Sequence, residues 1–415
     1  MKLSEIRELV HVGRGEAPYG VPALARCHSI GDLRRLARRR LPAAALGYLE
    51  GGGEDEWTLR RNREAFSEVG LVPRVLRDVS QPDTGTTVLG TPMPLPFALS
   101  PIGSPRMFHH DGELAVARAA RHAGLPYGVS TLATQPLDAI AEAAQGSALW
   151  FQLYLWGDRS AARKLVAQAQ AAGYRALLLT VDSAVRSKRE RELRHGIMLP
   201  APELTARTVV NGARHPLWAW HFLTSPALGF PNLSMNGPTS RQRLAQMFDG
   251  TVDWADLDWI RQEWDGPIAL KGVLSPDDAR RAADEGVDAV IVSNHGGRQM
   301  DHVPAALEAL PGIADAVGDR VEVLFDSGIR RGSDIVTALA LGARAVLVGR
   351  AHLYGLAAAG EAGVRYAIDI LAGELRTSMA LCGAATLADL DRSLVQAASL
   401  PRPAGPPAGA AQPGS

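Results

Sequence analysis

The chain has 415 residues, 46% of them hydrophobic and 21% charged, which is enough apolar content for a large core and excludes intrinsic disorder. Its 44 Lys+Arg balance 44 Asp+Glu, so there is no basic excess of the kind that holds nucleic acid by bulk electrostatics. Two cysteines, Cys27 and Cys382, cannot build a disulfide framework, and Cys/His metal spacings are missing. MKLSEIRELV alternates charge with apolar residues and predicts no signal peptide, and no stretch approaches the ~18 uninterrupted apolar residues of a membrane span. These features predict a globular, cytoplasmic protein. Length alone allows roughly two or three domains, although α/β barrels of this size fold as one unit.

In chain order, residues 1–70 read as helices. IGDLRRLARRRLPAAALGYLEGG has apolar residues at helical spacing and stops at Gly51-Gly52-Gly53. From about residue 95 short apolar runs recur: PFALSPIG, YGVST, WFQLY and ALLLTVD, then PIALKG, AVIVSNHGG, VEVLFDSG and AVLVG. Helical stretches such as DGELAVARAARHAG and SPDDARRAADEG separate most of them. Apolar strands alternating with helices predict a parallel sheet covered on both faces. Eight such units predict an α/β fold of the (β/α)8 TIM-barrel kind, and no G-x-G-x-x-G follows the first strand to favour an open doubly wound sheet. The fourth connection, about 183–264, is far longer than a usual βα loop. It contains HPLWAWHFLTSPALGF, a lid, a partner surface or a membrane-surface contact. The expected layout is a single domain over 1–400: a helical cap (about 1–90), a barrel (about 95–395) and the insertion, followed by a disordered Pro/Gly/Ala tail at 401–415.

Barrel enzymes keep their chemistry at the C-terminal ends of the strands. Here those ends carry Ser130, Gln152 and Tyr154, Thr180 and Asp182, Lys271, Ser293 and His295, and Asp326. DSGIRRG and GRAH follow the last two strands, where glycines let backbone N–H groups approach an anion and Arg330 and Arg350 add charge-assisted bonds. Only four lysines occur in the chain, and Lys271 sits directly after an apolar strand. It fits either a Schiff-base amine or a fixed cation beside an anionic cofactor. His295 fits a general base, with Arg298 nearby to grip a carboxylate and Asp182 to orient the imidazole. The other histidines read as structural or solvated. The residues alone therefore describe an enzyme acting on a small acid with a phosphorylated cofactor or substrate.

SNHGGRQMD (293–301) closely resembles the active-site segment of the FMN-dependent α-hydroxy acid dehydrogenases and oxidases. YLEGGGEDEWTLRRNREAF, WFQLYLW, LTVD, LKG, DSGIRRGSDIVTALALGA and GRAHLYGLAAAGEAGV resemble further family segments in the right order, so the likeness spans roughly residues 30–395. Within the family the insertion and the GRAHLYG segment are most similar to bacterial, quinone-linked L-lactate dehydrogenases, with mandelate dehydrogenase next.

The resemblance implies FMN as cofactor and oxidation of an (S)-2-hydroxy acid to the 2-oxo acid, L-lactate to pyruvate first among these. A mandelate-type oxidase or tailoring enzyme is the alternative, and a Lys271 aldolase or an inert FMN scaffold stands further off. By resemblance, His295 is the base, Asp182 stabilises its cation, and Tyr154 meets the substrate oxygen. Arg189, Arg298 and Tyr48 bind substrate. Pro101, Gly103, Ser130, Gln152, Thr180, Lys271 and Ser293 contact the flavin, with Lys271 near its N1. Asp326 meets the ribityl chain, and Gly328, Arg330, Gly349 and Arg350 hold the phosphate. It also implies a quinone, a protein carrier or oxygen as electron acceptor, a homo-oligomer, and peripheral contact with the inner face of the membrane. Three departures stand out: Ile102 for a usual threonine, Leu132 in a pocket position that is tryptophan in glycolate oxidase, and Met300 for leucine. Gly103 stands where many oxygen-using relatives carry alanine.

Overall fold

The computed structural model describes residues 17–157, 159–198, 201–202, 205–233 and 249–397. The expected tail at 401–415, the first sixteen residues of the cap and 234–248 of the insertion lie outside them. Eight parallel strands close into a barrel: β1 (Phe97–Leu99), β2 (Tyr127–Ser130), β3 (Leu149–Tyr154), β4 (Ala176–Thr180), β5 (Ile268–Val273), β6 (Ala289–Val292), β7 (Glu322–Asp326) and β8 (Ala345–Val348). Each falls on one of the eight apolar runs of the sequence, β3 and β5 extending one residue beyond theirs, and β4 pairs with β5 across the insertion.

Side-chain alternation explains how these strands build both a core and a site. Ala98, Trp150, Ala176, Leu178, Ala269, Ile291, Leu324 and Leu347 form one buried cluster inside the barrel. Two residues further along the same faces come Ser100, Gln152, Thr180, Lys271, Ser293, Asp326 and Gly349. The inward row of each strand is thus apolar below and polar at its C-terminal end. A hairpin of Thr86–Val88 and Thr91–Met93 adds Val88, Leu89 and Met93 to the inner cluster and so lies at the opposite end.

Helices surround the barrel: α1 (Ile30–Arg40), α2 (Ala43–Glu50) and α3 (Trp57–Ser67) from the cap, and α4 (Gly112–Ala123), α5 (Leu137–Ala144) and α6 (Arg159–Ala171) after the first three strands. The insertion carries α7 (Glu190–Arg194), α8 (Ala206–Ala213) and α9 (Pro216–Thr224), and α10 (Asp256–Glu263) returns the chain to β5. Then follow α11 (Pro276–Asp284), α12 (Ala306–Val317), α13 (Gly332–Ala340) and the long α14 (Arg350–Leu381). The single helical run expected over 30–50 is broken at Leu41-Pro42, because Pro42 disfavours helical backbone in the residue before it, and Leu41 is extended at ψ 137°. α14 is also two helices in effect, since Ala359 and Gly360 leave helical geometry. Among the described residues no helix is long and apolar enough to cross a membrane.

Candidate active site

At the C-terminal end of the strands lies a cavity of about 660 Å³. Strand register sets its floor. Tyr154 and Lys271 each pair with Thr180, so three neighbouring strands end at one level. Ser130 donates to Gln152 Oε1 at 3.0 Å, and Gln152 Nε2 donates to Thr180 Oγ1 at 2.9 Å. Lys271 Nζ donates to Asp326 Oδ2 at 2.7 Å and to Ser293 Oγ at 3.1 Å. An ammonium in a buried ion pair is a poor nucleophile, which removes the main support for a Schiff-base aldolase.

The loop after β6 positions His295. Its backbone is left-handed at φ 57°, a conformation costing a non-glycine residue roughly 1–2 kcal/mol. The next two residues make that turn possible. A Cβ on Gly297 would stand 2.6 Å from the backbone of Leu59 in α3, and one on Gly296 would stand 2.9 Å from Arg350 Nη1. Asn294 and Asn62 exchange side-chain hydrogen bonds of 2.8 Å, fastening this loop to the cap.

So held, His295 Nδ1 lies 3.0 and 3.2 Å from the Asp182 oxygens, and Nε2 lies 3.2 Å from the Tyr154 hydroxyl. Burial raises the Asp182 carboxyl's proton affinity, but His295, Lys271 and Ser183 together outweigh it and hold Asp182 below the usual carboxylate range. An ionised Asp182 requires the proton on Nδ1, leaving the Nε2 lone pair towards the cavity. Burial also lowers the His295 pKa, only partly opposed by Asp182, so the imidazole is neutral and basic at neutral pH. Tyr154 is pushed above the usual tyrosine range by burial and by Asp182, and remains a donor.

In the same cavity, Arg298 donates to the Tyr48 carbonyl at 2.7 Å and to the Gly51 carbonyl at 3.1 Å, with its guanidinium 4.8 Å from the Tyr48 ring centre. Its other arm reaches Glu192 Oε1 at 2.7 Å, and Arg189 lies 3.7 Å from the same oxygen. Two arginines against one buried carboxylate leave one positive charge, enough for a single carboxylate ligand. Arg330 and Arg350 are different: no carboxylate pairs with either among the described residues. Burial lowers the proton affinity of both, that of Arg350 to about 9, so both stay charged at neutral pH. Arg350 donates to the carbonyls of Leu49, Gly51 and Gly296, while Gly349 caps the N-terminus of α14. Half-buried guanidinium groups without a carboxylate partner, one of them at a helix N-terminus, fit a dianionic phosphate, and the cavity volume fits the ring system attached to it.

Of the residues expected from the sequence, Tyr48, Pro101, Gly103, Ser130, Gln152, Tyr154, Thr180, Arg189, Lys271, His295, Arg298, Asp326, Gly328, Arg330, Gly349 and Arg350 line this cavity. Asp182 and Ser293 stand behind it, under His295 and Lys271. Ile102 and Leu132 line it too, whereas Met300 is 71% exposed and outside. Glu192 and Gln299 were missed. Gln299 Nε2 donates to the Asp182 carbonyl at 2.9 Å while its oxygen accepts from Arg189 at 3.1 Å. Glu192 had one local signal, its three-residue spacing from Arg189.

A barrel whose mouth gathers a carboxylate-backed imidazole, paired arginines and a phosphate cradle is that of a cofactor-dependent enzyme of small carboxylic acids. Residues 37–397 match the FMN-dependent dehydrogenase family, and the chain belongs to it. It is 42% identical over 389 residues to the putative L-lactate dehydrogenase of Mycobacterium tuberculosis, covering 94% of each chain. It is 44% identical over 377 residues to the L-lactate dehydrogenase of Caulobacter vibrioides strain NA1000, covering 88% of this chain and 97% of that one. Among solved structures, the monotopic membrane protein (S)-mandelate dehydrogenase superposes with a TM-score of 0.86 at 37% identity, over 90% of this chain and 100% of that chain. A mandelate oxidase with benzoyl-formic acid gives 0.76 at 38%, over 89% and 97%. The fold is therefore the (β/α)8 barrel of this family, the cofactor is FMN, and the chain is an oxidoreductase acting on hydroxy acids.

Proposed function

We propose that the protein oxidises L-lactate to pyruvate. The observation that carries this reading is His295, basic at Nε2 and backed by Asp182, facing the Arg298–Arg189 pair across one cavity. The arginines hold the substrate carboxylate, Arg298 with its fork fixed by Glu192 and the Tyr48 carbonyl. Nε2 takes the proton of the 2-hydroxyl, and Tyr154 donates to the same oxygen. Asp182 then stabilises the imidazolium formed. When bound, FMN would supply the acceptor for the two electrons and the hydrogen that C2 loses as its carbonyl forms. Arg330, Arg350 and the glycines Gly328 and Gly349 hold its phosphate. Lys271, with Ser130, Gln152, Thr180 and Ser293 around it, supplies a preorganised cation where negative charge develops. Asp326 fixes that lysine. FMN-loaded protein given an artificial acceptor dye should form pyruvate from L-lactate and not from D-lactate; no pyruvate from either enantiomer would remove the reading.

Larger (S)-2-hydroxy acids are a second reading. Leu132 and Ile102 stand beside Phe108 on the cavity wall, an apolar patch for a substrate side chain.

For the acceptor we infer a membrane quinone or a protein carrier rather than oxygen, with the protein peripheral at the inner face of the membrane. Helix α9 supports this, with Leu217 57%, Trp220 66% and Leu223 80% exposed on one short segment. The (S)-mandelate dehydrogenase relative is described as a monotopic membrane protein. Substrate-reduced enzyme should be reoxidised faster by a quinone analogue than by oxygen in stopped flow, and the opposite order would make it an oxidase.

A further inference from the structure

A second cavity, of about 200 Å³, opens between the end of α1, the segment around His109 and helix α9, and shares Phe108 with the active-site wall. Four arginines line it: Arg39, Arg40, Arg106 and Arg214. Elsewhere arginines of this chain commonly pair with acids, as Arg159 does with both Asp249 and Asp256. None of these four has a carboxylate partner among the described residues. The position of Arg39 and Arg40 in the last turn of α1 accounts for their presence there through the helix dipole, but not for their convergence with Arg106 and Arg214 from two other segments.

Three imidazoles cluster in the same wall, His110 stacked on His221 and tilted against His109. The His110 ring centre lies 4.3 Å from that of His109 and 4.1 Å from that of His221, which are 6.3 Å from each other. His110 Nδ1 and Arg106 Nε are buried without hydrogen-bond partners. Two acids stand near them: Asp111, 3.6 Å from His110 and sharing Arg118 with Glu361, and the buried Glu113, whose carboxyl burial pushes up to about 7 against the pull of Arg106, so the four arginines remain in excess. His109 is pressed down to about 4 by burial and by its cationic and imidazole neighbours. His109, His110 and Asp111 have ligand atoms within 4.8 Å of one another, but a metal cation there would sit among four uncompensated guanidinium groups. The excess charge selects an anion. Planar guanidinium forks match phosphate oxygens in pairs; Arg106 gives its Nη groups to the Pro226 and Ala227 carbonyls, and its free Nε with the forks of Arg39, Arg40 and Arg214 still exceeds what one carboxylate can accept.

We propose that this cavity is a binding site for a phosphate-type anion, distinct from the cofactor site. The phosphate belongs either to a soluble phosphorylated compound or to a lipid headgroup, and the exposed apolar face of α9 next to the cavity makes the second source accessible. The proposal stands apart from the assignment of the active site.

The test uses FMN-saturated holoenzyme, so that the cofactor's own phosphate site is filled. Inorganic phosphate binding is measured by calorimetry. Vesicle binding is measured by flotation with phosphatidylcholine alone and with added phosphatidylglycerol. The comparison protein carries Arg39→Gln, Arg40→Gln and Arg214→Gln, with anaerobic flavin reduction by substrate as the check that the barrel is intact. Phosphate binding that weakens by about tenfold or more in the variant supports a soluble source. Binding to anionic vesicles alone, lost in the variant, supports a headgroup. Should the triple variant fold poorly, Arg214→Gln by itself, on the connection leading into α9, carries the same comparison. The site is overturned if neither probe binds the wild type, or if binding is undiminished without these arginines.

Discussion

His295 stands in a left-handed backbone conformation between Ser293, whose hydroxyl accepts the His295 backbone N–H at 3.0 Å, and two glycines of positive φ, the second of which has no room for a Cβ against the Leu59 backbone. Strain of this kind persists only where the surroundings over-determine it, as the cap and Arg350 do here. On the proposed roles, His295→Ala keeps bound FMN and slows flavin reduction by ~10²–10⁴-fold. Flavin content and stopped-flow reduction measured together check this, and near-wild-type reduction would remove the base assignment. Because burial lowers the His295 pKa, the acid limb of kcat/KM should fall below the usual imidazole value of about 6.5, with a plateau above it. A limb at or above that value would contradict a buried neutral base. Arg298→Lys should raise KM and lower kcat/KM for L-lactate, since a lysine cannot keep the fork that spans Glu192 and the Tyr48 carbonyl. An unchanged KM would count against a carboxylate grip. At this scale the sequence was readable wherever a polar residue closed an apolar strand, because alternation forces that residue inward: Lys271 follows Ala269 and Asp326 follows Leu324. Glu192 was not readable. It reaches the site from a five-residue helix in the insertion, where no periodicity says which way a side chain points.

Elements divide in the same way. Continuous apolar runs marked all eight barrel strands, since a strand covered on both faces has no polar side to blur its pattern. The pairing of Val69–Leu71 with Val395–Ala397 and the hairpin at Thr86–Met93 were not visible, since three-residue strands carry too few positions for a period to emerge. The break in α14 also went unseen: there Gly360 takes φ 60° against the ring of His109, and the chain folds back so that a Cβ on Gly363 would lie 2.0 Å from the Gly355 carbonyl oxygen. Gly363→Ala should therefore cost about 1–3 kcal/mol by overpacking. A lowered denaturant midpoint with an unchanged slope is the expected reading, and an unchanged midpoint would show that the crossing can relax. By contrast, Leu223→Ser on α9 should change stability by less than about 0.5 kcal/mol, because that side chain is 80% exposed. The same change should weaken vesicle binding if α9 meets a membrane, and equal binding by both proteins would remove that role for the helix.

Across the whole molecule, zero formal charge conceals a strong local arrangement. The barrel is apolar inside and plugged at one end by the hairpin, while its other end concentrates half-buried arginines, of which Arg330 and Arg350 have no carboxylate partner among the described residues. Composition could exclude disorder and bulk nucleic-acid binding but not reveal this clustering, which arises only when cap, insertion and strand ends converge. Arg350 illustrates it, touching carbonyls from α2, the glycine run after it and the loop after β6. On the proposed roles, the site takes two anions at once, a cofactor phosphate and a substrate carboxylate, beside a neutral base. Anaerobic stopped-flow bleaching of the flavin band by L-lactate, D-lactate, glycolate and (S)-mandelate tests this most directly. The account predicts rapid, complete bleaching by L-lactate and none by D-lactate. FMN-loaded protein whose flavin no 2-hydroxy acid bleaches, or only the D enantiomer does, would contradict it.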